Sequence, residues 1–259
     1  MSVPMHQAGR HPFIAAFLAC TMPGLGQVYN GELIKGVSCF ILVMVSAALG
    51  LRAALLLPDR LLFHGVLAVI LLVGVLVVFT IVDAYAQASK SDAAYLLKSY
   101  NRWYFYLAAW LLGFAVFSLG QGYIRGHFIE AYTIPTQSME PTVRQGDYVL
   151  ADKTAYGRMA PQKGDIVIFL FPDDRSKRYI KRIEALPGDT IALPDGTVEK
   201  VPHGCAYVLG DNWEQSLDSR HFSYIPLRDI AAKVRQVYYS SGEEGIRWER
   251  IGTVVGRPD

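Results

Sequence analysis

GVLAVILLVGVLVVFTIV, residues 65–82, carries no charge, and its one polar side chain is Thr80. A helix needs about 20 such residues to cross a bilayer. Inside lipid the backbone must satisfy its own hydrogen bonds, so a helix is the natural form. Two more runs lie on either side: GVSCFILVMVSAALGL at 36–51 and WYFYLAAWLLGFAVFSLGQGYI at 103–124, the latter with aromatic residues grouped at its start. Three such runs within one half of the chain argue for membrane spans over core helices of a soluble protein. The composition agrees, with 52% hydrophobic residues among 259.

The earlier apolar stretch, Phe13 to Met22, is shorter and is broken by Pro23-Gly24-Leu25-Gly26-Gln27. It suits an interfacial or re-entrant helix better than a full span, so the sequence leaves three spans or four open. A cleavable signal peptide is not expected here, because no clear small-residue site follows. Lys90, Lys98 and Arg102 stand between the second and third runs, whereas the first and second are separated by a loop with only Arg60. Positive loops stay on the cytoplasmic side. Everything after about residue 125 is then expected outside the cytoplasm, with Arg10 and Lys35 on the inner side. The expected division is residues 1–125 as a membrane-spanning region and 126–259 as a folded domain.

Beyond residue 125 the texture changes. GDYVLAD, GDIVIFLF, RYIKRIEAL, DTIAL, AYVLGD and AAKVRQVYYS read as strands punctuated by Gly-Asp and Pro-Gly. The fold expected is an N-terminal α-helical membrane region followed by an all-β, mostly antiparallel domain, barrel or sandwich. A net charge of +2 gives no nucleic-acid footprint. Three cysteines, Cys20, Cys39 and Cys205, form no CxxC or Cys/His cluster, so no metal site is expected. There is no HExxH, GxSxG or P-loop pattern either.

Three segments can carry chemistry. IPTQSMEPT, residues 134–142, presents Ser138 in a turn just past the last apolar run. RYIKRIEAL places Lys181 on one strand face with Tyr179 and Ile183, and Arg182 on the other with Ile180 and Glu184. Burial there lowers a lysine's pKa, and a neutral lysine can accept a serine's proton. GDNWEQSLDSR, residues 210–220, gathers Asp211, Ser216, Asp218 and Arg220 in a polar loop. On paper Ser138, His221 and Asp218 or Asp211 could instead form a triad. A histidine beside Arg220 is more often a surface residue, and the polar loop and a solvated strand lysine have equally plain readings.

Taken together, IPTQSMEPTVRQGDYVLADK, GDIVIF, YIKRIEALPGD and GDNWEQSLDSR, in that order and with IRWERIG near the end, resemble the type I signal peptidase (leader peptidase) family. The resemblance implies a membrane-bound serine endopeptidase with Ser138 as nucleophile and Lys181 as general base. It implies an oxyanion hole from the Ser138 N–H and the hydroxyl of Thr136, where many members have serine. Ser216 would orient the lysine, Asp218 and Arg220 would support the site as a pair, and Arg182 and Asp211 would be structural supports. No metal or other cofactor is implied, and the partners would be preproteins carrying signal peptides and the lipid bilayer. The expected location is the bacterial cytoplasmic membrane, multi-pass, with the catalytic domain on the outer side. Only a short stretch separates Pro187-Gly188-Asp189 from Gly210-Asp211-Asn212, where larger members insert a second β-domain, so a minimal catalytic fold is expected. The region PGLGQVYNGELIKG is expected to serve as simple anchoring. Apolar residues near Met139, Phe169, Phe171 and Trp213 either dip into the membrane surface or equally belong to the core. Two alternatives stay open: a dedicated maturation protease of the same clan, for a pilin or conjugation factor, and a non-catalytic membrane scaffold.

Overall fold

A computed structural model describes residues 9–91, 98–193 and 196–256. The chain forms two compact units, one from residues 1–57 and 64–122, the other from 58–63 and 123–259.

The first unit is helical. It contains α1 (Pro12–Thr21), α2 (Leu25–Tyr29), α3 (Leu33–Leu55), most of α4 (Asp59–Lys90) and most of α5 (Trp103–His127). By length and composition α3, α4 and α5 can each cross a membrane, whereas α1 is a shorter apolar helix. Their Leu, Val, Ile and Phe side chains largely face outward, as a lipid solvent requires.

The Pro-Gly interruption is a tight joint. Gly24 has φ +91°, and a Cβ there would fall on the Gly36 carbonyl, so only glycine lets the start of α2 approach α3 so closely. Gln27 is fully buried and donates from Nε2 to Thr80 O at 2.8 Å and to Asp83 Oδ2 at 3.0 Å. Asn30 Nδ2 reaches Ala84 O at 2.8 Å, and Lys35 Nζ lies 2.8 Å from Asp83 Oδ1. PGLGQVYNGELIKG is therefore clamped to α4 by side-chain amides. The amide nitrogens thereby find partners, as polar groups in an apolar setting must.

Among its described residues the second unit has ten strands. They are β1 (Ile129–Thr133), β2 (Asp147–Asp152), β3 (Ile166–Phe171), β4 (Asp174–Ala185), β5 (Thr190–Ala192), β6 (Val198–Lys200), β7 (Cys205–Leu209), β8 (Ile225–Pro226), β9 (Ile230–Gly242) and β10 (Gly245–Ile246). Two short helices, α6 (Ala155–Arg158) and α7 (Ser219–Phe222), join them. The main sheet runs β1-β2-β9-β3-β4-β7-β8, with β10 on β9, and all pairings are antiparallel. The expected helical membrane region and antiparallel β-domain are thus both present. β5 and β6 form a separate two-stranded sheet in the short β4–β7 connection.

The sheet carries a core on each face. Ile134, Met139, Val143, Val149, Ile166, Ile168 and Val234 pack together on one side, and Val167, Phe169, Ile183, Val208 and Ile225 on the other. β3 is central, so IVIFLF is covered on both faces. Of the two readings left open for these residues the core one holds: Met139 and Phe169 are fully buried and Phe171 is 9% exposed. Trp213, at the start of a one-turn 3-10 helix, is 63% exposed.

Candidate active site

β3 and β4 pair with Val167 opposite Lys181. Along β4 the residues Lys181, Ile183 and Ala185 are buried while Arg182 and Glu184 are only half-buried, as strand alternation predicts. Lys181 is thus carried inward by the same periodicity that buries Ile183. It is 3% exposed, and Nζ donates to Ser138 Oγ at 2.6 Å. Burial pushes its pKa down to about 8, against the opposing pull of Asp218 and Asp211. Once the amine is neutral, the same contact reverses and the serine hydroxyl donates to Nζ.

Ser138 is 6% exposed, on the turn between β1 and β2. Several contacts fix that turn. Met139 anchors it in the core, Val143 N donates to Met139 O at 2.9 Å, and Gln145 Nε2 donates to Pro135 O at 3.0 Å. Asn212 N donates to Ser138 O at 3.2 Å. Gly210 packs directly on that carbonyl and on Ser216 Oγ, leaving no room for a Cβ. Thr136 Oγ1 lies 3.4 Å from Ser138 Oγ, so the two hydroxyls are neighbours.

The supporting residues meet as pairs. Arg182 grips Asp211 through Nε–Oδ1 at 2.8 Å and Nη2–Oδ2 at 2.7 Å, and its Nη1 donates to Gly164 O at 2.8 Å. This fork ties the strand bearing Lys181 to the loop that holds the Ser138 carbonyl. Asp218 is fully buried and caps α7, accepting from Arg220 N at 3.2 Å, Arg220 Nε at 2.8 Å and Gly210 N at 3.0 Å. Burial alone would raise its pKa, but Arg220, the Gly210 N–H and the nearby Ser216 hydroxyl outweigh it and hold it at about 2. The Arg220 guanidinium also stacks over the Trp213 ring at 4.1 Å. Asp218 is therefore a fixed anion beside the lysine.

Two expectations differ from the structure. Ser216 is buried, 6% exposed, but no hydrogen bond joins it to Lys181 among the described residues; its hydroxyl lies toward Gly210 and Asp218 instead. His221 is exposed on α7 and contributes nothing to Ser138, while Asp218 is committed to Arg220, so the paper triad does not assemble.

Sequence reasoning missed a third ion pair. Asp147, fully buried at the start of β2, accepts from Arg250 Nε at 3.0 Å, Ser240 Oγ at 2.6 Å and Arg144 N at 2.8 Å, and Arg250 Nη2 donates to Thr142 O at 2.9 Å. It closes the far end of the Ser138 turn. The only signals were the Gly-Asp of QGDYVLAD and the arginine of IRWERIG, far apart in sequence.

Beside the dyad opens a cleft of about 260 Å³ lined by Pro135, Thr136, Tyr179, Ile180, Gln215 and Leu217 among others. No strand pairs with Tyr179–Lys181 on the side away from β3 among the described residues. The site thus sets a buried lysine amine against a serine hydroxyl, with a second hydroxyl and an unpaired strand edge beside them.

Comparison with known proteins gives the same direction. The family described as "Signal peptidase, peptidase S26" matches residues 106–199 and 194–239. The chain belongs to the signal peptidase, peptidase S26, family. Among its relatives, the signal peptidase I of Aquifex aeolicus (strain VF5) is 44% identical over 201 positions, which take up 46% of this chain and 78% of the relative. The probable signal peptidase I-1 of Synechocystis sp. is 29% identical, covering 52% of this chain and 82% of the relative. The signal peptidase I of Pseudomonas fluorescens is 27% identical, covering 51% and 73%.

Proposed function

We propose that this peptidase is a membrane-bound serine endopeptidase that removes N-terminal signal peptides from exported preproteins, cutting after small residues. The observation that carries the reading is the 2.6 Å contact between buried Lys181 Nζ and Ser138 Oγ. A neutral amine in a dry site can take the hydroxyl proton as Oγ attacks the scissile carbonyl. The oxyanion would be met by the Ser138 N–H and the Thr136 hydroxyl; such a donor is typically worth about 100- to 1000-fold in rate. The C–N bond then breaks, the Lys181 ammonium returns its proton to the leaving amine, and an acyl-enzyme remains on Ser138. Water, deprotonated by the same amine, releases the carboxylate product.

Asp211, Arg182, Asp218 and Arg220 hold the two halves of this dyad in register, and Ser216 fills the space between Gly210 and Asp218. The substrate would lie extended along the free edge of Tyr179–Lys181, as an added strand. The enzyme would be multi-pass in the bacterial cytoplasmic membrane, with the β-domain on the outer side. Membrane-borne preproteins would then present their cleavage regions where they leave the bilayer.

The experiment is cleavage of a preprotein by the full chain in detergent. Wild type should yield a mature protein with a new N-terminus after a small residue, and Ser138→Ala should yield none. Full activity in Ser138→Ala removes the enzyme reading of this site.

A further inference from the structure

The wall of the cleft beside the dyad is charged. Arg178 lies on β4 three residues before Lys181, lines the cleft, and has a side chain 43% exposed. Among the described residues its hydrogen bonds all run through Nη1, 3.3 and 3.5 Å from the Glu130 carboxylate and 3.1 Å from Tyr132 OH, and its guanidinium lies over the Tyr132 ring at 5.6 Å. Glu130 is held more closely by Lys153, at 2.6 Å. One carboxylate therefore faces two cations, and the cluster keeps one positive charge in excess at the cleft. An arginine with part of its planar fork uncommitted is suited to a carboxylate, which it can bind through two parallel hydrogen bonds.

The position along the substrate follows from strand geometry. A strand advances about 3.3 Å per residue, so Arg178 sits roughly 10 Å from Lys181 along β4. Recognition residues of signal-peptide sites precede the cut, so the cleft holds that side of the substrate. The residue before the cut lies at the dyad, and three residues further on is the fourth before the cut.

We infer that Arg178 is a specificity-determining residue, favouring substrates with an acidic side chain at the fourth position before the cut. The inference rests on the proposed function and extends it from small residues near the cut to a charged residue beyond them. Surface charge pairs are weakened by salt, so the preference should shrink as ionic strength rises.

The test uses the full chain in detergent and peptides that differ only in carrying Glu, Gln or Lys at each position from the second to the fifth before the cut. Wild type should cleave the Glu peptide about tenfold better than the Gln peptide in kcat/KM at the fourth position, mainly through KM. Arg178→Glu should invert the order, so that the Lys peptide overtakes the Glu peptide. A wild type that cleaves the Gln peptides yet gains nothing from Glu at any position overturns the inference alone. So does a Glu preference that survives in Arg178→Glu. A wild type that cuts none of the peptides overturns the proposed function, and this inference with it.

Discussion

Lys181→Ala is expected to lower kcat for preprotein cleavage by roughly a thousandfold or more, while His221→Ala stays within about twofold of wild type. Lys181 is the only titratable side chain hydrogen-bonded to Ser138 Oγ among the described residues, at 2.6 Å, and the buried site keeps water from substituting for it. His221 is exposed and has no path to the nucleophile. Steady-state cleavage of one preprotein by the three proteins, with circular dichroism to confirm folding, makes the comparison. Full activity in Lys181→Ala with loss in His221→Ala would replace the dyad with a histidine mechanism.

The second large effect concerns stability. Asp147→Ala should cost about 3–5 kcal/mol, because it leaves the Arg250 guanidinium buried without its counter-charge. Total stabilities of about 5–15 kcal/mol make that a large fraction. Asp147 is fully buried and Arg250 is 8% exposed, so solvent cannot take over the lost contacts. The same network holds Thr142 O and Arg144 N, in the turn that carries Ser138. Thermal unfolding of the full chain in detergent should show a clear drop for Asp147→Ala and Arg250→Ala. The double replacement should lose less than the sum of the two, since the stranded partner is gone. Strictly additive losses, or a negligible shift in either single variant, would mean that the pair does not hold the turn.

The membrane half was legible because span length is a local property: 65–82 needs no partner to be recognised. Lys181 was legible for a related reason, since a period of two fixes its face from Tyr179 and Ile183. Strands β2, β3, β4, β5 and β7 were marked by neighbouring Gly-Asp or Pro-Gly and β9 by its Val- and Tyr-rich run, whereas β1 follows α5 without a turn signal and β6 is short and exposed. Phe169 and Phe171 were not placed by pattern because β3 is central and covered on both faces, so both parities of IVIFLF are apolar and buried. Asp147 and Arg250 are 103 residues apart, and no local pattern pairs them. The clamp of Gln27 on Thr80 and Asp83 is non-local in the same way. Ser216 was placed by resemblance, and the tight packing of Gly210 turns its hydroxyl toward Asp218.

The claim at the centre is that a neutral lysine activates Ser138, and the pH profile of kcat/KM addresses it most directly. Protonated Lys181 cannot accept the serine proton, and burial sets its pKa at about 8. Activity should therefore be low at pH 6, rise through a single ionisation centred near pH 8, and level off above it. A rise centred near 6.5, the ordinary range of histidine, or a profile flat from pH 6 to pH 9, would contradict the account.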